Sequence, residues 1–188
     1  MLYETVAEQS RAMAEMQRML RHVATGMQIN LDGDDEQAFP LPEGKDFHFF
    51  ISHCQATGGD QANLLCTNLE TLGVKVWYDM KMPDLTEAAM VEGVKASVAM
   101  IVLLTPRVMS RPFCHLEMRT ARDNGVRMVG IKEDDDRRGK VDFGTESETC
   151  PSDLLFILNN VEFLPFRRRY FEAQTMYSEI LKRGGIAR

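Results

Sequence analysis

The chain has 188 residues, 44% of them hydrophobic, with a formal net charge of −6 and a sequence pI near 5.3. That length and apolar content support one domain of ordinary size with an appendage, and the acidic balance argues against a nonspecific nucleic-acid or anionic-membrane binder. Four scattered cysteines, Cys54, Cys66, Cys114 and Cys150, make neither a CxxC pair nor a His/Cys ligand set, so reduced thiols in a cytoplasmic setting are expected and no metal site.

Residues 4–24 lack Gly and Pro and are rich in strong helix formers, which predicts a helix ended by Gly26. Val6, Met13, Met16, Leu20 and Val23 fall on heptad a and d positions, with Gln9 the polar intruder. Two and a half heptads with Met at the seam fit either self-association or docking on the domain's own flank. The expected organisation is an N-terminal amphipathic helix (1–25), a flexible linker (26–45) and a domain (46–188). No segment carries the roughly 18 consecutive apolar residues of a membrane span, and no leader-like pattern opens the chain.

The run 46–52 is nearly continuously apolar, as in a strand buried on both faces of a parallel sheet. A polar loop, 53–59, follows, and Asp60 is placed to cap a helix carrying Ala62, Leu65, Leu69 and Leu72 as far as Gly73. Residues 74–78 read as a second strand and 79–83 as a loop. Asp84 and Glu87 have the spacing of a capping box opening a helix that buries Leu85, Met90, Val91 and Val94. The most apolar run, 98–104, predicts a central strand. A helix from 110, a fourth strand at 126–131, a charged and solvated loop at 133–149, a short helix at 153–158, a fifth strand at 161–164 and a closing helix at 170–182 complete the alternation. The basic triple Arg167, Arg168 and Arg169 reads as a solvated face. Alternation of this kind gives an α/β fold: a five-stranded parallel sheet, right-handed crossovers and helices on both faces.

Within the helix from 110, Ser110 is a good N-cap, Pro112 suits the first turn and Asn124-Gly125 is a stop. Phe113, Leu116, Thr120 and Ala121 then share a stripe with a carboxylate, Glu117. An unpaired buried carboxylate costs several kcal/mol, so Glu117 either pairs with a base such as Arg107 or Arg122 or lines a cleft. In an open parallel sheet the cleft lies at the carboxyl ends of the strands. That singles out the loop after Ser52, the loop after Tyr78 and the start of the Glu117 helix, which favours the cleft. Residues 56–59 make a poor flavin phosphate loop, Ser52 and Thr105 stand where a phospho-receiver needs acids, and P-loop and dinucleotide fingerprints are absent.

These residues resemble the Toll/interleukin receptor (TIR) domains. Phe49-Phe50-Ile51-Ser52-His53 is similar to that family's first box, Val76-Trp77-Tyr78-Asp79 to the end of its second strand, and Ser110 to Met118 to the Ser-x-Trp-Cys-x-x-Glu-Leu pattern of its third helix. The resemblance runs from about Asp46 to Lys182. It implies a flavodoxin-like sheet, with the loop 79–87 used in assembly and in gating the active site. Some members cleave NAD at the nicotinamide glycosidic bond and others are scaffolds. The enzymatic members share the glutamate that Glu117 matches, four residues after an aromatic that Phe113 matches. Phe113 stands where Trp is common, and Cys54 and Gln55 where an axon-degeneration enzyme has arginines.

The resemblance implies Glu117 as catalytic residue, with Ser52, His53, Gln55, Trp77, Asp79, Ser110 and Phe113 as substrate-binding candidates. NAD would be the substrate, with no cofactor and no metal, and ADP-ribose or a cyclic ADP-ribose the product. Nicotinamide leaves as a neutral base, so one carboxylate can suffice without a general acid. The expected setting is immune or cell-death signalling, switched on by self-association or by other TIR-domain proteins. A non-enzymatic TIR scaffold is the alternative.

Overall fold

The computed structural model describes residues 39–187; the predicted N-terminal helix 1–25 and most of the linker 26–45 lie outside the described residues. Five strands form one sheet, β1 (Phe47–Ser52), β2 (Val76–Trp77), β3 (Ser97–Leu104), β4 (Arg127–Lys132) and β5 (Phe163–Pro165), in the order β2-β1-β3-β4-β5 with every pairing parallel. The chain leaves β1 for the β2 edge and then crosses back to β3, which places the switch point between β1 and β3, where Ser52 pairs in register with Val102.

Side chains along a strand alternate between faces, and two cores result. Phe49 and Ile51 of β1 with Ile101 and Leu103 of β3 pack under α1 (Gln55–Thr71) and α6 (Tyr170–Gly184). Phe50, Met100, Val102 and Leu104 face the opposite way, under α2 (Glu87–Lys95), α3 (Pro112–Asp123) and α5 (Leu155–Asn160). β1 and β3 are buried on both sides, which is why their sequences read as continuous apolar runs. At the amino end of β1, buried His48 accepts from the Lys75 amide at Nδ1 (2.8 Å), so Nε2 donates to the Phe39 carbonyl (3.0 Å). Burial lowers its pKa and keeps the ring neutral, as both roles require.

Several boundaries differ from expectation for visible reasons. α1 begins at Gln55, not after Asp60, because its first turn must pass the end of β3: a Cβ on Gly58 would sit 3.0 Å from Thr105 Oγ1. Asp84 does not open α2; its carboxylate accepts from the Thr86 amide, and Thr86 is the cap, with Leu85 turned out and half exposed. Ser110 is likewise not the α3 cap, since Arg111 occupies that position and the Ser110 hydroxyl donates to the Arg107 carbonyl. Gly93 is needed where α2 crosses β2, a Cβ there falling 2.5 Å from the Trp77 indole nitrogen. The expected solvated loop 133–149 instead holds a 3-10 turn (Asp136–Arg138), α4 (Phe143–Thr149) and two buried acids, Glu133 and Glu146. Arg168 binds Glu133, so the basic triple is not wholly a solvated face. All four cysteines are free thiols, and among the described residues no three His, Cys, Asp or Glu side chains gather as a metal site. No described helix is long and apolar enough to cross a membrane.

Candidate active site

Glu117 lies in the second turn of α3 and is 8% exposed. Cys114 and Met118 on its flanks bury into the sheet, so the helix face that carries the carboxylate is turned toward the carboxyl ends of β1 and β3. Neither Arg107 nor Arg122 reaches it: Arg122 pairs with Asp123 and Asp153 on the outer side of α3. Its hydrogen-bond partner is the Ser52 hydroxyl, which donates to Oε2 over 2.6 Å from the last residue of β1. Burial pushes the Glu117 carboxyl up to about 8; the Ser52 bond offsets part of that, and the negative charge of Asp79 adds to it. With one donor and, among the described residues, no cation, the carboxyl is held largely protonated at neutral pH.

His53, next after Ser52, is nearly buried; its Nε2 donates to the Gln55 carbonyl oxygen (2.8 Å) and lies 3.9 Å from Asp79 Oδ1. Its ring tilts against Tyr78, whose hydroxyl donates to the Gly59 carbonyl (3.4 Å). Ser52 thus bonds Glu117 and Asp79 acts on it by charge, while Asp79 lies beside His53, which bonds Gln55. The other candidates sit apart. Trp77 is enclosed, its ring stacked on Phe50 (centroids 4.3 Å, 14° between planes) with α2 on its far side, so it is core and no open wall. Phe113 departs from the buried stripe: it is 53% exposed in the first turn of α3. Ser110 is exposed and spent on the Arg107 carbonyl.

Two neighbours, Arg111 and Cys114, were not singled out by sequence reasoning. Arg111, the residue before α3, places Nε 3.3 Å from Cys54 Sγ. Cys114, one turn before Glu117, donates its thiol to the His53 carbonyl (3.3 Å). Thr57 donates to the Pro106 carbonyl (2.8 Å) and meets Thr105 at 3.0 Å, pinning α1 to the end of β3. The signal for Arg111 was its place at the head of the Glu117 helix.

A TIR domain family model matches residues 49–154, from the middle of β1 past Glu117 to the turn before α5. The chain belongs to the TIR domain family. Among solved structures, this TIR chain is similar to a metazoan TIR-STING receptor from C. gigas, solved in complex with 2',3'-cGAMP, at 16% identity and a TM-score of 0.53 over 75% of this chain and 42% of that one. It is also similar to the TIR domain of the Toll-related receptor TRR-2 from Hydra magnipapillata, at 17% identity and a TM-score of 0.49 over 73% of this chain and 96% of that one. At these identities the first likeness speaks to the fold, and the chain spans less than half of that receptor. No curated protein matches the chain.

Proposed function

We propose that this TIR domain is an NAD glycohydrolase that cleaves the nicotinamide-ribose bond, giving nicotinamide and either ADP-ribose or a cyclic ADP-ribose. The observation that carries the reading is Glu117: a carboxylate buried at the switch-point end of the sheet, bonded to Ser52 and raised to about 8, with no base among the described residues paired to it. The nicotinamide ring of NAD carries a positive charge until the glycosidic bond breaks. Bound beside Glu117 it favours the carboxylate and draws the proton off. As the bond lengthens, positive charge moves onto the ribose, and a carboxylate fixed in a water-poor site stabilises that charge more than water would. Ser52 orients the carboxylate, and His53 and Asp79 border the ribose side. Nicotinamide leaves without a proton, so no second acid is needed.

A scaffold reading has its own support. Met80 and Leu85, in the loop after β2, are exposed as contact residues for another TIR domain would be.

The test is nicotinamide release from NAD by the full chain at high protein concentration, beside Glu117→Ala and Glu117→Gln. The enzymatic reading expects release that both variants lower by at least about a hundredfold while staying folded. Wild-type chain that releases nothing, even when clustered, leaves the scaffold reading.

A further inference from the structure

A dinucleotide brings two phosphates into the cleft as well as a cationic ring, and the groups around Glu117 include Asp79, whose charge the carboxyl feels. The guanidinium bonded to the first loop is that of Arg111, whose Nε sits on Cys54 Sγ at 3.3 Å. Farther along α3, Arg119 and Arg122 are engaged by Asp153 and Asp123. Among the described residues no carboxylate lies within salt-bridge distance of Arg111, so its two terminal amino groups are open to an anion. The contacts run in one order. Ser52 meets Glu117, the His53 carbonyl meets Cys114, and Cys54 meets Arg111. Arg111, extended at the head of α3, stands six residues before Glu117, which sets them about 9 Å apart in the direction of the helix axis and on different sides of it. One ribose separates the glycosidic carbon of NAD from its pyrophosphate, which fits that span. Arginine's planar fork suits two phosphate oxygens at once.

We infer that Arg111 holds the substrate's pyrophosphate at the mouth of the cleft, so that the nicotinamide end points inward to Glu117. Arg111 is thereby the residue that selects a dinucleotide over a nucleoside. The inference rests on the NAD-cleaving reading.

Its test uses the full chain with Arg111→Gln and Arg111→Lys, and two readouts: steady-state nicotinamide release from NAD, and calorimetric binding of ADP-ribose, which keeps the pyrophosphate and needs no turnover. Arg111→Gln is expected to raise KM for NAD and weaken ADP-ribose binding about tenfold, with kcat changed far less. Arg111→Lys should recover part of both. Wild-type chain that binds ADP-ribose through Arg111 but releases no nicotinamide sinks the glycohydrolase reading and leaves the anion assignment standing. ADP-ribose binding that Arg111→Gln leaves unchanged, no ADP-ribose binding by the wild type, or a loss confined to kcat overturns the assignment.

Discussion

Glu117 and Glu133 are both buried carboxylates at the carboxyl edge of one sheet, yet their surroundings are opposite. Glu133, fully buried just past β4, accepts from the Gln61 amide (2.9 Å), from the backbone of Asp134 and Asp135 (3.1 Å each) and from both ends of the Arg168 fork, which itself lies over the Phe166 ring. Burial pushes its pKa up, but Arg168, Gln61 and the Asp135 amide outweigh that and hold it below the usual carboxylate range. Glu117 has one hydroxyl donor and rises to about 8. A saturated carboxylate ties elements together, here β4, α1 and the approach to α6. Glu117, with one hydroxyl donor among the described residues, is instead held toward its protonated form.

The contrast can be broken first at its structural end. Glu133→Ala strands the Arg168 fork, the Gln61 amide and two backbone donors, and should cost about 2–4 kcal/mol of unfolding free energy in urea. A loss below about 0.5 kcal/mol would make Glu133 an ordinary surface acid.

The two acids also give pH dependences of opposite sign. A carboxyl raised in the folded state favours folding while protonated and loses that advantage as pH rises from the ordinary carboxylate range toward 8. Glu117→Gln should therefore come close to wild type near pH 5 and melt higher near pH 9, by roughly 10 °C or more. Glu133, held low, contributes stability at neutral pH that is lost as the solution is acidified. Equal melting of the Glu117→Gln variant and wild type at both pH values would remove the desolvated carboxyl from the account.

How much of this contrast was legible in the sequence follows from distance along the chain. The apolar runs announced β1 and β3, and helical spacing marked Glu117 as an acid on a buried stripe, because those signals are local. Phe113 was set on that stripe too, but it lies in the first turn of α3 and is exposed. Glu133 opened a run of acids that averages to a solvated loop. Its partners could not be seen from that run, since Gln61 is 72 residues away and Arg168 is 35.

A smaller effect sharpens the site itself. Ser52→Ala removes the one hydroxyl that favours the Glu117 carboxylate, so the pH profile of nicotinamide release should move to higher pH by about half a unit to one unit. An unmoved profile would mean that Ser52 does not govern the ionisation of Glu117.

The most direct measurement is the titration of both carboxyls in the folded chain, by carbon NMR of protein labelled at the glutamate side-chain carboxyl, with Glu117→Gln and Glu133→Gln assigning the two signals. The account predicts a midpoint near 8 for Glu117 and one below the usual carboxylate range for Glu133. A Glu117 midpoint in the ordinary carboxylate range, alongside Glu133, would contradict it.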